Sequence, residues 1–463
     1  MSTRTRRNSP AYRCTECGWS TAKWVGRCGE CQAWGTVEEI GEHKARTTAA
    51  RSIAEPARPI AQVDATVAAS APTGVPELDR VLGGGLVPGA VVLMAGEPGV
   101  GKSTLLLDVA ARFAEGTGAG TRDVLYVTGE ESAAQVRMRA ERIEAMAATL
   151  FLAAETDLAT VLGQIDAVQP DLVIVDSVQT ISSGDVEGSA GNVTQVREVA
   201  ASLIQVAKSR GIATLLVGHV TKDGSIAGPR VLEHLVDVVV QFEGDRHSRL
   251  RLVRAVKNRY GPTDEVGCFD LSDVGIVGLP DPSGLFLSRG TLSVPGTCVT
   301  VTLEGRRPLM TEVQALVAKS EIPTPRRATS GLDSARVAMI IAVLAKRAQA
   351  PIGNADVYLS TVGGVRLTEP ASDLAIALAV ASAVKDQALP DHAIAFGELG
   401  LAGEIRPVTG IPRRLAEAGR LGFRTAYVPS GVLGTAPTPD GMQVVECVDI
   451  RTAVRAALQP AHS

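Results

Sequence analysis

The chain has 463 residues, which at roughly 150 residues per domain predicts about three domains. Its 45% of hydrophobic residues supplies ample apolar material for packed cores. The formal net charge of −4 excludes a uniformly basic protein that coats DNA, so any binding site for a polyanion has to be a local patch.

The first 40 residues differ in composition from the rest of the chain, because they hold all three tryptophans and four of the seven cysteines. The cysteines form two Cys-x-x-Cys pairs, a pattern that lets four thiolates converge tetrahedrally on one Zn²⁺. We predict a zinc module over residues 1–40, folded by the metal because so short a segment has no adequate core. The predicted ligands are Cys14, Cys17, Cys28 and Cys31.

The aromatic and basic residues beside these cysteines have two interpretations, and the sequence favours neither. In one, they stack on and contact nucleic acid, as aromatic and cationic side chains do on single strands. In the other, the tryptophans cover the zinc site. The residues concerned are Trp19, Trp24, Lys23 and Arg27.

Residues 41–72 are rich in Ala, Arg, Pro, Ser and Thr and predict a linker. In residues 73–285, short apolar runs alternate with helical patterns, which is typical of an α/β fold on a largely parallel, buried sheet. The predicted strands cover residues 90–96, 124–129, 171–176, 213–218 and 236–241. The predicted helices cover residues 102–114 and 193–208.

Residues 286–463 form a third predicted domain, which opens with apolar runs at 296–303 and 309–316. Ala/Leu-rich patterns predict helices over residues 334–349 and 372–384. No apolar run approaches the roughly 20 residues needed to cross a bilayer, so we expect no membrane association. Three further cysteines are scattered along the chain, and we expect them to be small, buried, hydrophobic residues in a reducing cytoplasm. They are Cys268, Cys298 and Cys447.

A glycine-rich segment between a predicted strand and a predicted helix fits the pattern G-x-x-x-x-G-K-[ST]. It reads Gly96-Glu97-Pro98-Gly99-Val100-Gly101-Lys102-Ser103, followed by Thr104. The amides of such a loop cradle phosphates, while Lys102 reaches the β and γ oxygens and the Ser103 hydroxyl ligates Mg²⁺. The motif therefore predicts binding of ATP with Mg²⁺.

Two further acidic positions follow predicted strands. Asp176 ends the run 171–176 in a Walker-B arrangement and is predicted to support the Mg²⁺ shell, through water. Glu130 follows the run 124–129 at the same carboxyl edge of the sheet, where open α/β sheets bind ligands. We predict Glu130 as the base that polarises the attacking water. The alternative is that it is an ordinary acid at a helix N-terminus.

Residues 73–89, the phosphate-binding loop and the two acid-ended strands together resemble a RecA-type ATPase core. The resemblance implies a ring or filament with ATP at the subunit boundaries. It also implies a γ-phosphate sensor at Gly218-His219 and a loop over residues 220–230 that lines a central channel and touches DNA. By residue type alone, a histidine at a strand end is an ordinary structural feature.

The segment Lys257-Asn258-Arg259-Tyr260-Gly261 is similar to the KNRFG motif of the RadA (Sms) family of bacterial recombination and repair ATPases. Tyr260 replaces the family's Phe and keeps an aromatic ring. The resemblance implies that Lys257 and Arg259 act near the nucleotide of a neighbouring subunit. Cations supplied in this way stabilise charge on the transferring phosphoryl group.

Three segments of the C-terminal region, residues 295–317, 363–383 and 397–415, resemble the proteolytic domain of Lon. Ser372 falls at or beside the nucleophile position of that family, whereas Pro412 falls at the position of its lysine. A Ser/Lys hydrolase needs both groups, so proteolysis is disfavoured and we expect a scaffold for ring assembly. Scattered cations in this region are candidates for a DNA-facing surface: Arg306, Arg307, Lys319, Arg326, Arg327, Lys346 and Arg347.

The ordered combination of zinc module, RecA-like P-loop core, KNRFG-type motif and Lon-like α+β domain identifies the chain as a member of the RadA (Sms) family. The resemblance implies a DNA-dependent ATPase that binds single-stranded and branched DNA as a hexamer. Such a motor promotes branch migration alongside the RecA recombinase. Two rival functions are an ATP-dependent serine protease and a nucleotide-switched adaptor that recruits recombinase without translocation.

Overall fold

The computed structural model describes residues 12–39, 57, 59–62, 64, 66–116, 120–219, 231–244, 249–272, 274–282, 287, 294–434 and 437–458. The chain divides into two compact units between residues 64 and 65. The predicted linker over 41–72 lies mostly outside the described residues, and the loop expected to touch DNA over 220–230 lies wholly outside them.

The first unit contains a three-stranded antiparallel sheet in the order β2-β1-β3. Its strands are β1 (Tyr12–Cys14), β2 (Ser20–Thr21) and β3 (Val37–Glu39). Strands this short bury few side chains: the apolar cluster of the described module consists of Cys14, Cys28 and Val37, with three partly buried neighbours. So small a core needs another source of stability.

The second unit begins with a nine-stranded sheet in the order β12-β11-β10-β9-β4-β8-β7-β5-β6, which defines the central domain. Its helices are α1 (Pro76–Leu82), α2 (Lys102–Glu115), α3 (Ala133–Arg142), α4 (Leu158–Val168) and α5 (Val193–Arg210). Its strands are β4 (Val91–Gly96), β5 (Val124–Thr128), β6 (Leu150–Ala154), β7 (Leu172–Asp176), β8 (Ala213–His219), β9 (Val238–Glu243), β10 (Leu250–Asn258), β11 (Val266–Ser272) and β12 (Gly275–Gly278).

The six strands from β9 to β6 in this order are parallel, and β10 to β12 extend the sheet in antiparallel fashion. Both faces of the parallel part are covered, as such sheets require. On β4, Val92 and Met94 pack in the cluster that contains α2, whereas Val91 and Leu93 pack in the cluster that contains α5. The predicted α/β architecture is confirmed.

A seven-stranded sheet in the order β15-β16-β14-β13-β17-β20-β21 defines the C-terminal domain. Its helices are α6 (Ser334–Arg347), α7 (Asp373–Lys385), α8 (Ile411–Arg420) and α9 (Ile450–Leu458). Its strands are β13 (Thr297–Glu304), β14 (Arg307–Lys319), β15 (Arg327–Ser330), β16 (Ala355–Thr361), β17 (Ala393–Ala395), β20 (Thr425–Pro429) and β21 (Gln443–Cys447), with β18 (Glu398–Leu399) and β19 (Ile405–Arg406) as a separate hairpin.

The helix predicted over residues 372–384 corresponds to α7, whose first ten residues are all buried. It packs against β13, β14, α6 and α9 and is a core helix. None of the helices in the described ranges is long and apolar enough to span a membrane. The three scattered cysteines are buried, also as predicted.

A buried ion pair joins the C-terminal domain to the central domain. The carboxylate of Glu77 on α1 accepts a hydrogen bond from the guanidinium of Arg307 on β14, and both side chains are buried. Glu77 also accepts the amide of Cys268 on β11 at 2.9 Å. Arg307 donates to three further backbone oxygens, those of Val266, Leu279 and Pro280. Each buried charge therefore has its partners, as burial requires.

The turn between β13 and β14 docks beside this pair. Gly305 has a φ of +60°, and a Cβ at this position would lie 2.3 Å from the carbonyl oxygen of Asp264. Only glycine permits this approach. The next residue, Arg306, forms an exposed ion pair with the Asp264 carboxylate at 3.2 Å. The expectation that Arg307 belongs to a DNA-facing surface is wrong, because its guanidinium is buried and paired with Glu77 between the two domains.

We expect Arg307→Ala to lower the free energy of unfolding by about 3–5 kcal/mol, because it leaves the buried carboxylate of Glu77 with only the half-exposed Arg80, at 3.7 Å, as a cation. Arg306→Ala is the matched control. It removes the neighbouring, exposed ion pair and should cost at most about 1 kcal/mol. Denaturant unfolding of both variants measures the difference, and equal stability of the two would contradict a structural role for the buried pair.

Candidate functional site

The four predicted zinc ligands converge in the first unit. Their sulfur atoms all lie within 4.8 Å of one another. The Sγ atoms of Cys14 and Cys31 are 3.7 Å apart, and those of Cys17 and Cys28 are 3.5 Å apart. Four thiolates placed tetrahedrally at 2.3 Å from a zinc ion are about 3.8 Å from one another. The cysteines therefore fit one Zn²⁺.

The predicted phosphate-binding loop connects β4 to α2. Gly99 and Gly101 have φ angles of +80° and +109°, a region that glycine enters without strain. The carbonyl oxygen of Val100 accepts a hydrogen bond from Nε of the buried Arg251 on β10, which supports the loop from below. The free amides at the N-terminus of a helix such as α2 are groups that bind phosphate. The loop comprises Gly96, Glu97, Pro98, Gly99, Val100 and Gly101.

Lys102, Ser103 and Thr104 form the first turn of α2. Lys102 is buried, and its Nζ donates to the carbonyl oxygens of Gly96 and Glu97 at 2.8 Å each. Burial lowers the pKa of the Lys102 ammonium group to about 8, against the opposing effect of the Asp176 and Glu130 charges. The ammonium is thus held at the base of the loop, where a phosphate chain would meet it.

Asp176 ends β7 and is buried beside the loop. The hydroxyl of Tyr126 on β5 donates to Asp176 Oδ2 at 2.7 Å, which fixes the carboxylate. Burial raises the pKa of the Tyr126 hydroxyl well above its ordinary value, so this hydroxyl remains a donor. Sequence reasoning missed Tyr126, although its place one strand away from the Walker-B acid was a signal.

Glu130 lies at the carboxyl end of β5, next to the ends of β7 and β8. Its Oε1 accepts a hydrogen bond from Ser177 Oγ at 2.6 Å and lies 3.1 Å from His219 Nε2. His219, and then the Ser177 hydroxyl, lower the pKa of Glu130 to about 2 despite partial burial. The neighbouring Glu131 instead pairs with Arg139 on α3. The structure therefore brings Glu130, and not Glu131, together with Lys102 and Asp176.

Lys257 and Arg259 lie away from the phosphate-binding loop, towards the opposite edge of the same sheet. Lys257 pairs in register with Val239, which pairs with Leu93 in the middle of β4. Arg259 lies one further step back, beside Asp237 at the start of β9. The amide of Asp237 donates to the carbonyl oxygen of Val91, which lies five residues before the loop begins at Gly96. Measured along the strands, Arg259 is therefore about 17 Å from the loop of its own chain.

Asp237 is a buried carboxylate that sequence reasoning missed, and it anchors Arg259. Asp237 accepts hydrogen bonds from Arg259 Nη1 at 3.0 Å, from Lys208 Nζ at 3.1 Å and from the amide of Val91 at 3.1 Å. Lys257 Nζ donates to the carbonyl oxygens of two residues that precede Asp237, Glu233 and Val236. The signal in the sequence that could have identified Asp237 is its position directly before the β-branched run 238–240.

The C-terminal domain lacks the geometry of a Ser/Lys hydrolase. Ser372 is buried, and its Oγ donates to the carbonyl oxygen of Glu369 at 2.9 Å. Pro412 lies in the first turn of α8. The cation close to this turn is Arg414, fully buried and paired with Glu369. A guanidinium does not lose its proton in proteins, so it cannot serve as a base.

Lys385 and Lys346 are also out of reach of Ser372. Lys385 ends α7, which begins directly after Ser372, so 13 helical residues, or about 20 Å, separate them. Lys346 lies near the end of α6, whose first turns approach Ser372 through an Arg336–Asp373 ion pair. Lys346 is therefore about 15 Å along the axis of α6 from the Arg336–Asp373 pair.

These features define the class of the protein: a zinc-ribbon protein with a RecA-like P-loop ATPase core and a Lon-like C-terminal domain. Family models agree with each part. Residues 12–39 match a rubredoxin metal binding domain, residues 56–225 match an AAA domain, and residues 336–431 match the ChlI subunit of Mg-chelatase. The chain thus combines a zinc-binding module with an ATP-binding domain.

Comparison with curated proteins identifies the family. The chain is 58% identical over 454 residues to the DNA repair protein RadA of Mycolicibacterium smegmatis, with 96% of each chain covered. It is 56% identical to that of Mycobacterium tuberculosis, over 96% of this chain and 92% of the relative, and 44% identical to that of Listeria monocytogenes, over 96% and 98%. The chain belongs to the RadA family of DNA repair proteins. Among solved structures, a KaiC-like protein of Pyrococcus horikoshii covers 46% of this chain and 100% of its own, at 20% identity and a TM-score of 0.37, and nothing further rests on it.

Removal of zinc by a chelator should unfold the first unit and leave the second unit folded, because only the first depends on the metal. All three tryptophans lie in residues 19–34, so tryptophan emission of the full chain reports on this unit alone. We expect a red shift on chelation, together with proteolytic cleavage confined to the N-terminal region. An unchanged emission spectrum after measured loss of zinc would contradict the metal-dependent fold.

The depressed pKa of Glu130 predicts a specific pH profile. With a pKa of about 2, Glu130 is ionised throughout the range from pH 5 to pH 8, so it should add no acidic limb to kcat in that range. His219→Ala removes the main cause of the shift, and the pKa should rise toward its ordinary value of 4.5, which moves the acidic limb upward. Glu130→Gln should lower kcat by about 10²–10⁴-fold, whereas Glu131→Gln should not. Equal losses in these two variants would contradict the assignment.

Proposed function

We propose that this protein is a DNA-dependent ATPase of recombinational DNA repair. It is an ATP-driven motor on single-stranded DNA that promotes branch migration of recombination intermediates with the RecA recombinase. We further propose that it acts in the cytoplasm as a homo-oligomer, a hexamer. The names of its relatives support a role in DNA repair, and the ATPase domain supports the use of ATP.

The location of Lys257 and Arg259 is the observation that carries this proposal. Arg259 lies about 17 Å along the strands from its own phosphate-binding loop, and the Nζ of Lys257 is held by carbonyl oxygens that precede β9, so we infer that neither reaches the nucleotide of its own subunit. The half-buried Lys257 and the exposed Arg259, both held by hydrogen bonds, suit the nucleotide of a neighbouring subunit. Hydrolysis would then be coupled to the arrangement of subunits, as a ring motor requires.

The loop residues have the roles that ATP hydrolysis needs. Lys102 is positioned for the β and γ phosphates, and the ionised Glu130 for orienting the attacking water. Ser103 and Asp176 would hold a Mg²⁺ ion through their hydroxyl and carboxylate oxygens, and the ion would offset charge on the phosphates. His219 bridges Glu130 to the end of β8 and suits a γ-phosphate sensor.

Two rivals are weaker. The buried Ser372 and the guanidinium of Arg414 disfavour a serine protease, and ATP-stimulated cleavage of casein that is lost in Ser372→Ala would reverse this judgement. A nucleotide-switched adaptor would turn over ATP normally without moving on DNA. Strand displacement on forked DNA separates it from a motor, because an adaptor gives no displacement.

Single-stranded DNA should stimulate ATP hydrolysis by the wild-type protein, and Lys102→Ala should reduce hydrolysis to background, because the phosphates lose their principal cation. The ATPase rate with and without DNA, together with the native mass, measures both. Substantial turnover by Lys102→Ala would contradict the assignment of the loop, and a monomeric native mass would contradict the ring.

Arg259→Ala should lower kcat by about 10³-fold, the typical minimum effect of a cation supplied in trans. Mixing it with Lys102→Ala should restore turnover, because an intact loop in one subunit then meets an intact Arg259 in the next. Lys208→Ala is the matched control: it removes the other side-chain cation on Asp237 and should leave kcat within about two-fold. Failure of the mixture to recover activity would count against action in trans.

A further inference from the structure

The three tryptophans differ in burial and in the residues they contact, a difference that the sequence alone did not reveal. The Trp19 ring packs against the cysteine core, and a Cβ added at Gly29 would lie 2.8 Å from it. Trp24 and Trp34 are 66% and 75% exposed. Covering the zinc site is therefore the role of Trp19, and the other two indoles have no such structural function.

Trp24 and Trp34 share one surface of the module. A Cβ built on Gly26 would have the Trp24 ring at 3.7 Å and the Trp34 ring at 3.9 Å, so both ring edges lie within 4 Å of the same point. The backbone keeps them there, because the amide of Gly35 donates to the carbonyl oxygen of Gly26 at 2.9 Å. The two indoles are thus neighbours fixed on a rigid turn.

Cations border the two rings. The Arg27 guanidinium lies 5.6 Å from the centroid of the Trp34 ring, and its Nε donates to the carbonyl oxygen of Gln32 at 2.9 Å. Lys23 is exposed directly before Trp24. Between Lys23 and Trp34 the sequence holds two side-chain cations, Lys23 and Arg27, and one carboxylate, Glu30.

We propose that Trp24 and Trp34, with Arg27 and Lys23, form a stacking surface for the unpaired bases of single-stranded DNA. Flat rings accept any base by stacking, while the adjacent cations meet the phosphates. A duplex does not fit, because its bases are already stacked. This inference rests on the proposed function for the presence of DNA, and it assigns one part of the DNA contact to the zinc module.

The test uses the full-length, zinc-loaded protein. Because the chain holds no tryptophan outside this module, its emission, excited where tyrosine does not absorb, reports stacking on these rings directly. Titration with oligodeoxythymidylate should quench the emission. An abasic oligomer of equal length, which keeps the phosphates and lacks the bases, should not quench it, and a blunt duplex should not either.

Affinity for a labelled oligodeoxythymidylate, measured by anisotropy, should fall about ten-fold in Trp24→Leu and in Trp34→Leu. Trp24→Phe and Trp34→Phe keep a flat ring and should retain most of the affinity. Trp19→Phe is the matched control, with binding and quenching largely unchanged. Bound zinc measured in each variant verifies that the module is folded.

Two results would overturn the inference: binding of the oligonucleotide without quenching, or equal affinity of the leucine variants and the wild type. If the wild type binds single-stranded DNA and its ATPase is stimulated while either of these holds, the inference fails and the proposed function stands. If the wild type neither binds nor responds to single-stranded DNA, both fail.

Discussion

The buried ion pair between Glu77 and Arg307 is the constraint on which the second unit depends. Glu77 belongs to α1, which leads into the nucleotide-binding sheet, and Arg307 opens β14, the 13-residue strand next to the centre of the C-terminal sheet. Neither charge tolerates the loss of its partner, because both are removed from water. The pair therefore fixes the C-terminal domain to the central domain at this point.

The sequence predicted the parallel part of the ATPase sheet well, because buried parallel strands are continuous apolar runs bounded by recognisable motifs. It did not predict β10 to β12, where arginines such as Arg251 and Arg254 interrupt the apolar pattern. Arg251 is buried through a bond to the phosphate-binding loop 151 residues away, and Arg307 through partners on α1 and β11. Such pairings depend on the fold, so an arginine in the sequence looks like an ordinary surface charge.

The candidate site residues also differ in whether the sequence alone could locate them. Spacing alone located the four cysteines and the phosphate-binding loop, because these ligands come from short, contiguous segments. Glu130 and Glu131 are adjacent and chemically equivalent in the sequence, and only the fold distinguishes them, through Ser177 and His219 on one side and Arg139 on the other. The roles of Glu130, Lys257 and Arg259 in catalysis stay predictions.

The burial of Arg414 has a consequence for how this domain could change over evolutionary time. Arg414 bonds Glu369, whose carbonyl oxygen in turn accepts the hydroxyl of Ser372, so cation, acid and serine form one interlocked structural unit. A lysine introduced in place of Pro412 would still face a serine whose proton is committed to the backbone. Removing Arg414 would leave Glu369 without its cation and would not release the serine, whose hydroxyl bonds the backbone. Neither change alone therefore pairs Ser372 with an amine that could act as its base.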